Sequence, residues 1–384
     1  MDLHIDAGQL LRDYEALHSM PEPGFAEYKT AEFIRKRLKE EGFDDVRPIA
    51  ETGTLALLDS GHPGPSYTLR ADIDALKFAN ADGSFEYKHA CGHDSHAAML
   101  LSAGIALRRA GIPAKGNLYL LFQPAEETMT GSFAVLKDGL PPLDGIIGIH
   151  IRPESELPAG KAAAQLLHGA TLPTTVTFTG KGSHGARPFL GRNALSAAAL
   201  AITMVDAIGP EDLPKGPDGS SAGEGGREGS SWSAKATICD TFGNTHNVVP
   251  EKCAVTFDVR AESNVLGRAL LGEVLGRCEE AAKRYGCTIE SSTVTGYAAE
   301  YDPALTAICE EAVREVFGEC AAPIKTVGSE DFHAYHMEAG VPAAYMALGS
   351  DLKPGLHARD MHFDPACLPA GCELLYRTAE RLFE

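Results

Sequence analysis

Apolar positions recur along the chain at two periods, and the alternation between them sets the expected architecture. Leu10, Leu11, Tyr14 and Leu17 recur at helical spacing, and Ala31, Ile34 and Leu38 do so again as far as Gly42. Apolar runs at 54–58 and 67–69 predict strands, and a helix is predicted over 95–109, with Asp94 as N-cap and Gly111 beyond its end. Residues 117–122 and 145–149 predict buried strands. Strands alternating with helices imply an α/β domain with a mostly parallel sheet.

A second pattern follows. A strand at 174–179 leads to a helix at 193–208, then to strands at 233–240 and 253–260 with period-two alternation. A helix at 266–285 and a strand at 287–295 complete a β-α-β-β-α-β order, the ferredoxin-like signature. Beyond it, a helix at 303–317, a strand at 343–348 and a helix at 368–383 return to the first pattern. The expected organisation is therefore an α/β domain over 1–168 and 298–384, with an α+β domain inserted at 169–297. Residues 209–231, rich in Gly, Ser and Pro, read as a mobile surface loop of the small domain.

Composition narrows the function classes. The chain has 384 residues, 34 Lys plus Arg against 53 Asp plus Glu, a net charge of −19 and 44% hydrophobic residues. That apolar content excludes a disordered chain. Nothing gathers the cations into a basic face, which argues against nucleic-acid binding. The longest apolar stretch, around 194–205, falls short of the ~20 residues of a membrane span. The opening residues carry neither the basic nor the apolar region of a signal peptide. The nine cysteines are scattered, odd in number and without CxxC pairs, so a reducing cytoplasm is expected. Cys239, Cys253, Cys278, Cys287, Cys309 and Cys320 read as ordinary core or surface thiols.

The chemistry sits where the strands end. Asp72 and Asp74 follow 67–69, Gln123-Pro124-Ala125-Glu126-Glu127 follows 117–122, and His150 follows 145–149. Cys91-Gly92-His93-Asp94 precedes a helix, and His357 comes soon after 343–348. Ligands of open α/β sheets bind beyond the carboxyl ends of the strands. Five side chains can therefore converge: Cys91, His93, one of Glu126 and Glu127, His150 and His357. One thiolate, three imidazoles and one or two carboxylates suit zinc or manganese, with nickel or cobalt as further options. Five ligands exceed one tetrahedral site, so two ions sharing a bridging ligand is the economical arrangement, and paired ions suit hydrolysis. In the Glu126-Glu127 pair, one carboxylate as ligand and its neighbour as general base make a complete chemical unit. The plainer reading, a solvated acidic turn, fits poorly after the apolar run 118–122.

These residues resemble the aminoacylase/hippuricase family of metal-dependent amidohydrolases and peptidases, in the subgroup of hippurate hydrolases, auxin-conjugate hydrolases and N-acetyl-amino-acid deacetylases. The resemblance runs from Leu17-His18-Ser19-Met20-Pro21-Glu22-Pro23-Gly24-Phe25 with Glu27, through Leu69-Arg70-Ala71-Asp72-Ile73-Asp74-Ala75-Leu76, His89-Ala90-Cys91-Gly92-His93-Asp94-Ser95-His96 and Phe122-Gln123-Pro124-Ala125-Glu126-Glu127. It continues through Gly180-Lys181-Gly182-Ser183-His184-Gly185-Ala186-Arg187-Pro188, Asn247-Val248-Val249-Pro250 and Gly328-Ser329-Glu330-Asp331-Phe332. The resemblance implies metal ligation by Cys91, His93, Glu127, His150 and His357, with Glu126 as general base and acid. It implies that His184, in a lid and dimerisation domain, reaches the partner subunit's site to stabilise an oxyanion. Asn247 and Arg260 match positions that bind the substrate's amide and carboxylate, although Arg260 is equally explained as a surface strand charge.

The implied activity is metal-dependent hydrolysis of N-acyl amino acids, by a homodimer that needs neither nucleic acid nor membrane. A metallo-dipeptidase or carboxypeptidase is the alternative enzyme, and a binding protein on the same scaffold the alternative class. Oxidative control through the ligand thiol Cys91 is a third idea. Departures from the family pattern bear on the substrate. Lys77 replaces the usual Pro, the stretch to Cys91 is short, the 209–231 segment is unusual, and the usual Pro and aromatic are missing after His357. His362 competes for the last ligand position. His96 is expected to hydrogen-bond within the helix start or to support a ligand. His18, His62, His246, His333 and His336 read as structural or surface residues.

Overall fold

A computed structural model describes residues 5–215, 221–226, 229–326 and 328–384. The chain falls into two compact units. One comprises the residues up to Leu167 together with Glu300–Thr326 and Glu330–Glu384; the other comprises His168–Ala299 and the short stretch ending at Ser329. No described helix is long and apolar enough to cross a membrane.

The first unit is built on a seven-stranded sheet, in the order Asp45–Ile49, Gly53–Asp59, Asn117–Gln123, Ser66–Asp72, Gly145–Pro153, Ala343–Leu352, Ala162–Ala163. The middle four strands run parallel, and the outer ones pair antiparallel. Parallel strands covered on both faces need continuous apolar runs, and Gly145–Pro153 is buried along its whole length. One face packs on the helix His93–Ala110, which is buried from His93 to Leu107. The helices Ala7–His18 and Leu368–Leu382 cover that helix in turn. Gly104 permits the close approach, because a Cβ there would lie 2.2 Å from Leu120 Cδ1. The other face carries a second core containing Leu121, Phe332, Tyr335 and Tyr345.

Two local expectations need correction. The helix starts at His93 with Gly92 as its cap residue, in a left-handed conformation at φ +95°. Asp94 lies inside the first turn, and its carboxylate serves His18 rather than the helix amides. The strand expected to stop at residue 149 continues to Pro153, so His150 projects from within it. The polar His150 interrupts the apolar run in sequence, and beyond it Glu156 and Thr326 satisfy the guanidinium of Arg152 inside the fold.

The second unit has an antiparallel sheet in the order Thr288–Thr293, Thr174–Thr179, Lys252–Ala261, Trp232–Asp240, with Ala170–Thr171 also pairing to Lys252–Ala261. Alternation decides its faces: Cys253, Val255, Phe257, Val259 and Ala261 are buried in a core shared with the helices Ala194–Asp206 and Asn264–Arg284. Trp232, just past 209–231, donates its indole N–H to Gly223 O inside that segment at 3.2 Å. Residues 216–220 and 227–228 of the expected mobile loop lie outside the described residues.

Two glycines test this packing in opposite directions. Gly104→Val should lower stability by about 1–3 kcal/mol through overpacking. Gly272→Ala, on an exposed helical position where an added Cβ meets nothing, should raise it by up to about 1 kcal/mol. Urea denaturation midpoints check both.

Candidate metal centre

The sequence brings its candidate ligands to the carboxyl edge of the parallel strands by tight backbone turns. After Cys91 the chain bends at Gly92, where a Cβ would strike Ile151 Cδ1 at 2.4 Å. Cys91 Sγ lies 3.4 Å from His150 Nε2. The opposite ring nitrogen of His150 donates to Ile151 O at 2.6 Å, which leaves the Nε2 lone pair facing the thiol. His93 Nδ1 sits 3.0 Å from Asp74 Oδ1. Its Nε2 is buried with no hydrogen-bond partner among the described residues, 3.7 Å from Glu126 Oε2, 3.8 Å from Glu127 Oε1 and 3.9 Å from Asp72 Oδ2. His357 reaches Glu127 Oε2 to 3.7 Å from a left-handed residue, φ +63°, whose backbone N–H donates to Ala90 O at 2.7 Å.

Three overlapping sets thus have donor atoms within 4.8 Å of one another: Cys91, His93 and His150; Cys91, Glu127 and His357; His93, Glu126 and Glu127. A fourth set, Glu126, Glu330 and Asp331, adjoins them. His362 is exposed and turned to Asp360 O at 3.0 Å, and it joins none of these groups among the described residues.

The turn carrying Glu126 and Glu127 is strained and braced. Ala125 and Met129 have φ of +56° and +57°, conformations that L-residues keep only where the surroundings enforce them. Fully buried Glu27 accepts from Ala125 N at 2.8 Å and from Thr52 Oγ1 at 2.5 Å. Gly24 leaves room for this turn, since a Cβ there would come within 2.9 Å of Ala125 Cα. Glu127 N donates to Asp74 Oδ2 at 2.9 Å, so one carboxylate orients both His93 and the turn.

Arg70 organises the acidic groups behind the cluster. Its fully buried guanidinium donates to Asp72 at 2.7 Å, Gln123 at 2.9 Å, Glu330 at 3.0 Å and Asp331 at 3.1 Å. Gln123 and Tyr345 extend the network to Asp331 and Glu330 at 2.8 Å each. Asp331 N donates in turn to Glu126 Oε1 at 3.4 Å.

Burial dominates the titration of these groups. It pushes Glu126 well above the ordinary carboxylate range, with Glu330 and Glu127 adding repulsion. It carries Glu127 up to about 7 against the pull of His93. Burial also raises the Cys91 thiol, helped by Glu127, and lowers His150 and His357. In His93 burial opposes the charge, but Asp72 and Cys91 outweigh it and raise the imidazole.

Several contributors had no role assigned from sequence. Arg70 was visible only as a charge inside a buried strand, and Asp72 and Asp74 as an i, i+2 pair at its end. The side chain of His96 reaches beyond the helix start. It bridges Asp72 Oδ1 at 2.6 Å and Ile151 N at 3.0 Å, supporting the strand that bears His150. His18, read as structural or surface, lies 2.6 Å from buried Asp94, and that hydrogen bond raises its pKa.

The remaining candidates belong to the second unit. Ser183–His184 pairs with Val248–Val249, and Gly185 N donates to Asn247 O at 2.7 Å, so His184 and Asn247 share one small structure. His184 is exposed, and its Nδ1 accepts from Ala186 N at 3.0 Å. Arg260, on the Lys252–Ala261 strand, holds both Asp258 carboxylate oxygens, at 3.0 and 3.1 Å.

A buried thiol–imidazole–carboxylate cluster at the carboxyl edge of a parallel sheet is the equipment of a metal-dependent hydrolase. Residues 68–381 match peptidase family M20/M25/M40, and the chain belongs to that family. It is 29% identical to the N-acetyl-L-cysteine deacetylase of Bacillus subtilis, over 98% of this chain and 88% of that protein. It is 30% identical to one subunit of the p-aminobenzoyl-glutamate hydrolase of Escherichia coli, over 85% of this chain and 76% of that protein. The crystal structure of a dinuclear metal binding peptidase of Bacillus subtilis superposes with a TM-score of 0.78 at 22% identity, covering 98% of each chain.

Two predictions follow from the electrostatics. Arg70→Met strands Asp72, Glu330 and Asp331 without their counter-charge, and should cost about 3–5 kcal/mol, read by chemical denaturation. Metal binding at Cys91, His93 and Glu127 would displace protons, because burial and neighbouring charges raise Cys91 and His93 and push Glu127 up to about 7. Metal affinity should therefore climb as pH rises through neutrality, with protons released on binding. Calorimetry in buffers of different ionisation enthalpy checks it; binding without proton release would contradict the assignment.

Proposed function

We propose that this chain is a metal-dependent hydrolase that cleaves the amide bond of N-acyl amino acids, giving a carboxylic acid and a free amino acid. The observation that carries the reading is the division of labour between neighbouring glutamates. Glu127 faces the imidazoles of both His93 and His357, while Glu126 has one oxygen on Asp331 N and the other toward His93. The names of the two relatives, a deacetylase and a hydrolase of an acylated glutamate, support the same chemistry.

The residues present fit a pair of divalent cations. His93 Nε2 and Glu127 Oε1 are buried with no hydrogen-bond partner among the described residues, and polar atoms are seldom left so in a finished core. In this reading Cys91, His93, Glu127, His150 and His357 hold two ions, zinc or manganese by ligand chemistry, with nickel or cobalt as substitutes. Bound there, the ions would supply Lewis acidity, acidifying a water molecule and polarising the amide carbonyl.

Glu126 takes the proton from the attacking water at its free oxygen, Oε2, and returns it to the leaving amine. Burial, and then repulsion from Glu330 and Glu127, raise its affinity for a proton above that of an ordinary carboxylate, which suits a group that takes and returns one. His184, delivered from a partner subunit by the second unit, donates to the developing oxyanion. Asn247 and Arg260 take the substrate's amide and carboxylate. The enzyme acts as a homodimer in a reducing cytoplasm, which suits its nine free cysteines.

The test is release of primary amine by manganese- or zinc-loaded protein from N-acetyl, N-benzoyl and long-chain N-acyl amino acids, beside simple dipeptides. Release from the acyl amino acids is expected; release from dipeptides alone would make the protein a peptidase. Glu126→Gln should retain its metal while kcat falls about 10²–10⁴-fold. Near-native turnover by that variant would remove Glu126 from the role of base.

A further inference from the structure

Two of the cysteines that looked ordinary in sequence are in contact. Cys239 and Cys253 stand on adjacent strands of the second unit with their sulfurs 3.6 Å apart. The strands run antiparallel, with Cys239 opposite Val255 and Asp240 opposite Ala254. An irregularity between Ala236 and Ile238 creates this juxtaposition. Were Thr237 paired in regular register instead of bulged out, Cys239 would fall opposite Ala254 and so on the other face from Cys253, because a one-residue slip reverses the side of every side chain. With the bulge, the two thiols share a face as diagonal neighbours, within reach of side-chain contact.

Their environments are complementary. Cys239 is exposed at the end of an edge strand, whereas Cys253 is fully buried. Burial, and then the hydrogen bond with Cys239, push the Cys253 thiol up to about 12. An accessible sulfur that meets oxidant first, touching a protected one that can resolve it, is the arrangement of a reversible thiol pair.

We propose that Cys239 and Cys253 form an oxidisable dithiol that closes into a cross-strand disulfide under peroxide. Cys239, as thiolate, attacks one oxygen of hydrogen peroxide. The O–O bond breaks, the sulfur becomes a sulfenic acid, and the other oxygen leaves as water with the thiol's proton. Cys253 sulfur then attacks Cys239 sulfur, the S–O bond breaks, and the hydroxyl departs with the Cys253 proton as a second water. Two thiols and one peroxide give one disulfide and two waters, with two electrons passing from sulfur to peroxide oxygen. Closure brings the sulfurs from 3.6 Å to the ~2.05 Å of a disulfide bond.

The cross-link lies at the base of the arm formed by residues 241–251. That arm carries Asn247 and the Val248–Val249 strand on which Ser183–His184 is paired. Oxidation therefore tethers the segment that presents His184 and Asn247. Any consequence for turnover rests on the function proposed above; the disulfide itself does not.

The experiment treats metal-loaded, fully reduced protein with a small excess of hydrogen peroxide, blocks the remaining thiols with N-ethylmaleimide and digests without reduction. The thiol count should fall by two from nine, with one peptide pair joined through Cys239 and Cys253, and dithiothreitol should restore both thiols. Amide exchange across 241–251 should slow several-fold in the oxidised form. Cys239→Ser, a change at an exposed position, should keep all its remaining thiols under the same treatment. Cys239 ending as an unpaired sulfinic acid, or joined to Cys239 of a second copy, would overturn the proposal. So would loss of Cys91 with this pair intact. A cross-link that leaves exchange across the arm unchanged would remove the tethering.

Discussion

One buried guanidinium fixes where the acidic groups of the centre stand. Arg70 sits in the middle of the parallel sheet and meets carboxylates from its own strand and from the Glu330–Asp331 turn. A cation so deeply buried is tolerable only when its donors are satisfied, and the carboxylates only when it is present. That mutual dependence fixes Asp72 and the Glu330–Asp331 turn to the sheet. Asp72 then orients His96, and Asp331 orients Glu126. The geometry of the candidate base is thus set from behind, by the network that Arg70 holds together.

Around this anchor the backbone is held in conformations it would not choose. Ala125, Met129 and His357 are left-handed non-glycine residues beside the ligand cluster. Glu27 and the close approach of Gly24 stabilise the first of these turns, and the His357 amide bond to Ala90 ties the last candidate ligand to the segment before Cys91. Strain concentrated where ligand atoms must converge is how a fold pre-organises a site before any ion arrives.

The sequence made the strands, the helices and the candidate ligands legible because each leaves a local mark. Period-two alternation marked Lys252–Ala261, and a continuous apolar run marked Gly145–Pro153. Ligand types standing past apolar runs marked Glu127, His150 and His357, and the start of a helix marked Cys91 and His93. What stayed hidden depends on long-range hydrogen bonds, which no spacing records. Arg70 to Asp331, Glu27 to Ala125 and His18 to Asp94 all join distant segments. Local rules misled in two places. Asp94 fits the residue preference of a cap, yet Gly92 occupies that position, and the polar His150 looks like the end of a strand that in fact runs on to Pro153. The contact of Cys239 with Cys253 was equally invisible, since it depends on one irregular residue in the ladder.

The central claim is that these residues form a two-ion centre, and native mass spectrometry of the zinc- or manganese-loaded chain counts the ions directly. The account predicts two per chain, both lost when the five ligand positions are replaced together. A single ion per chain, or a count unchanged by those replacements, would contradict it.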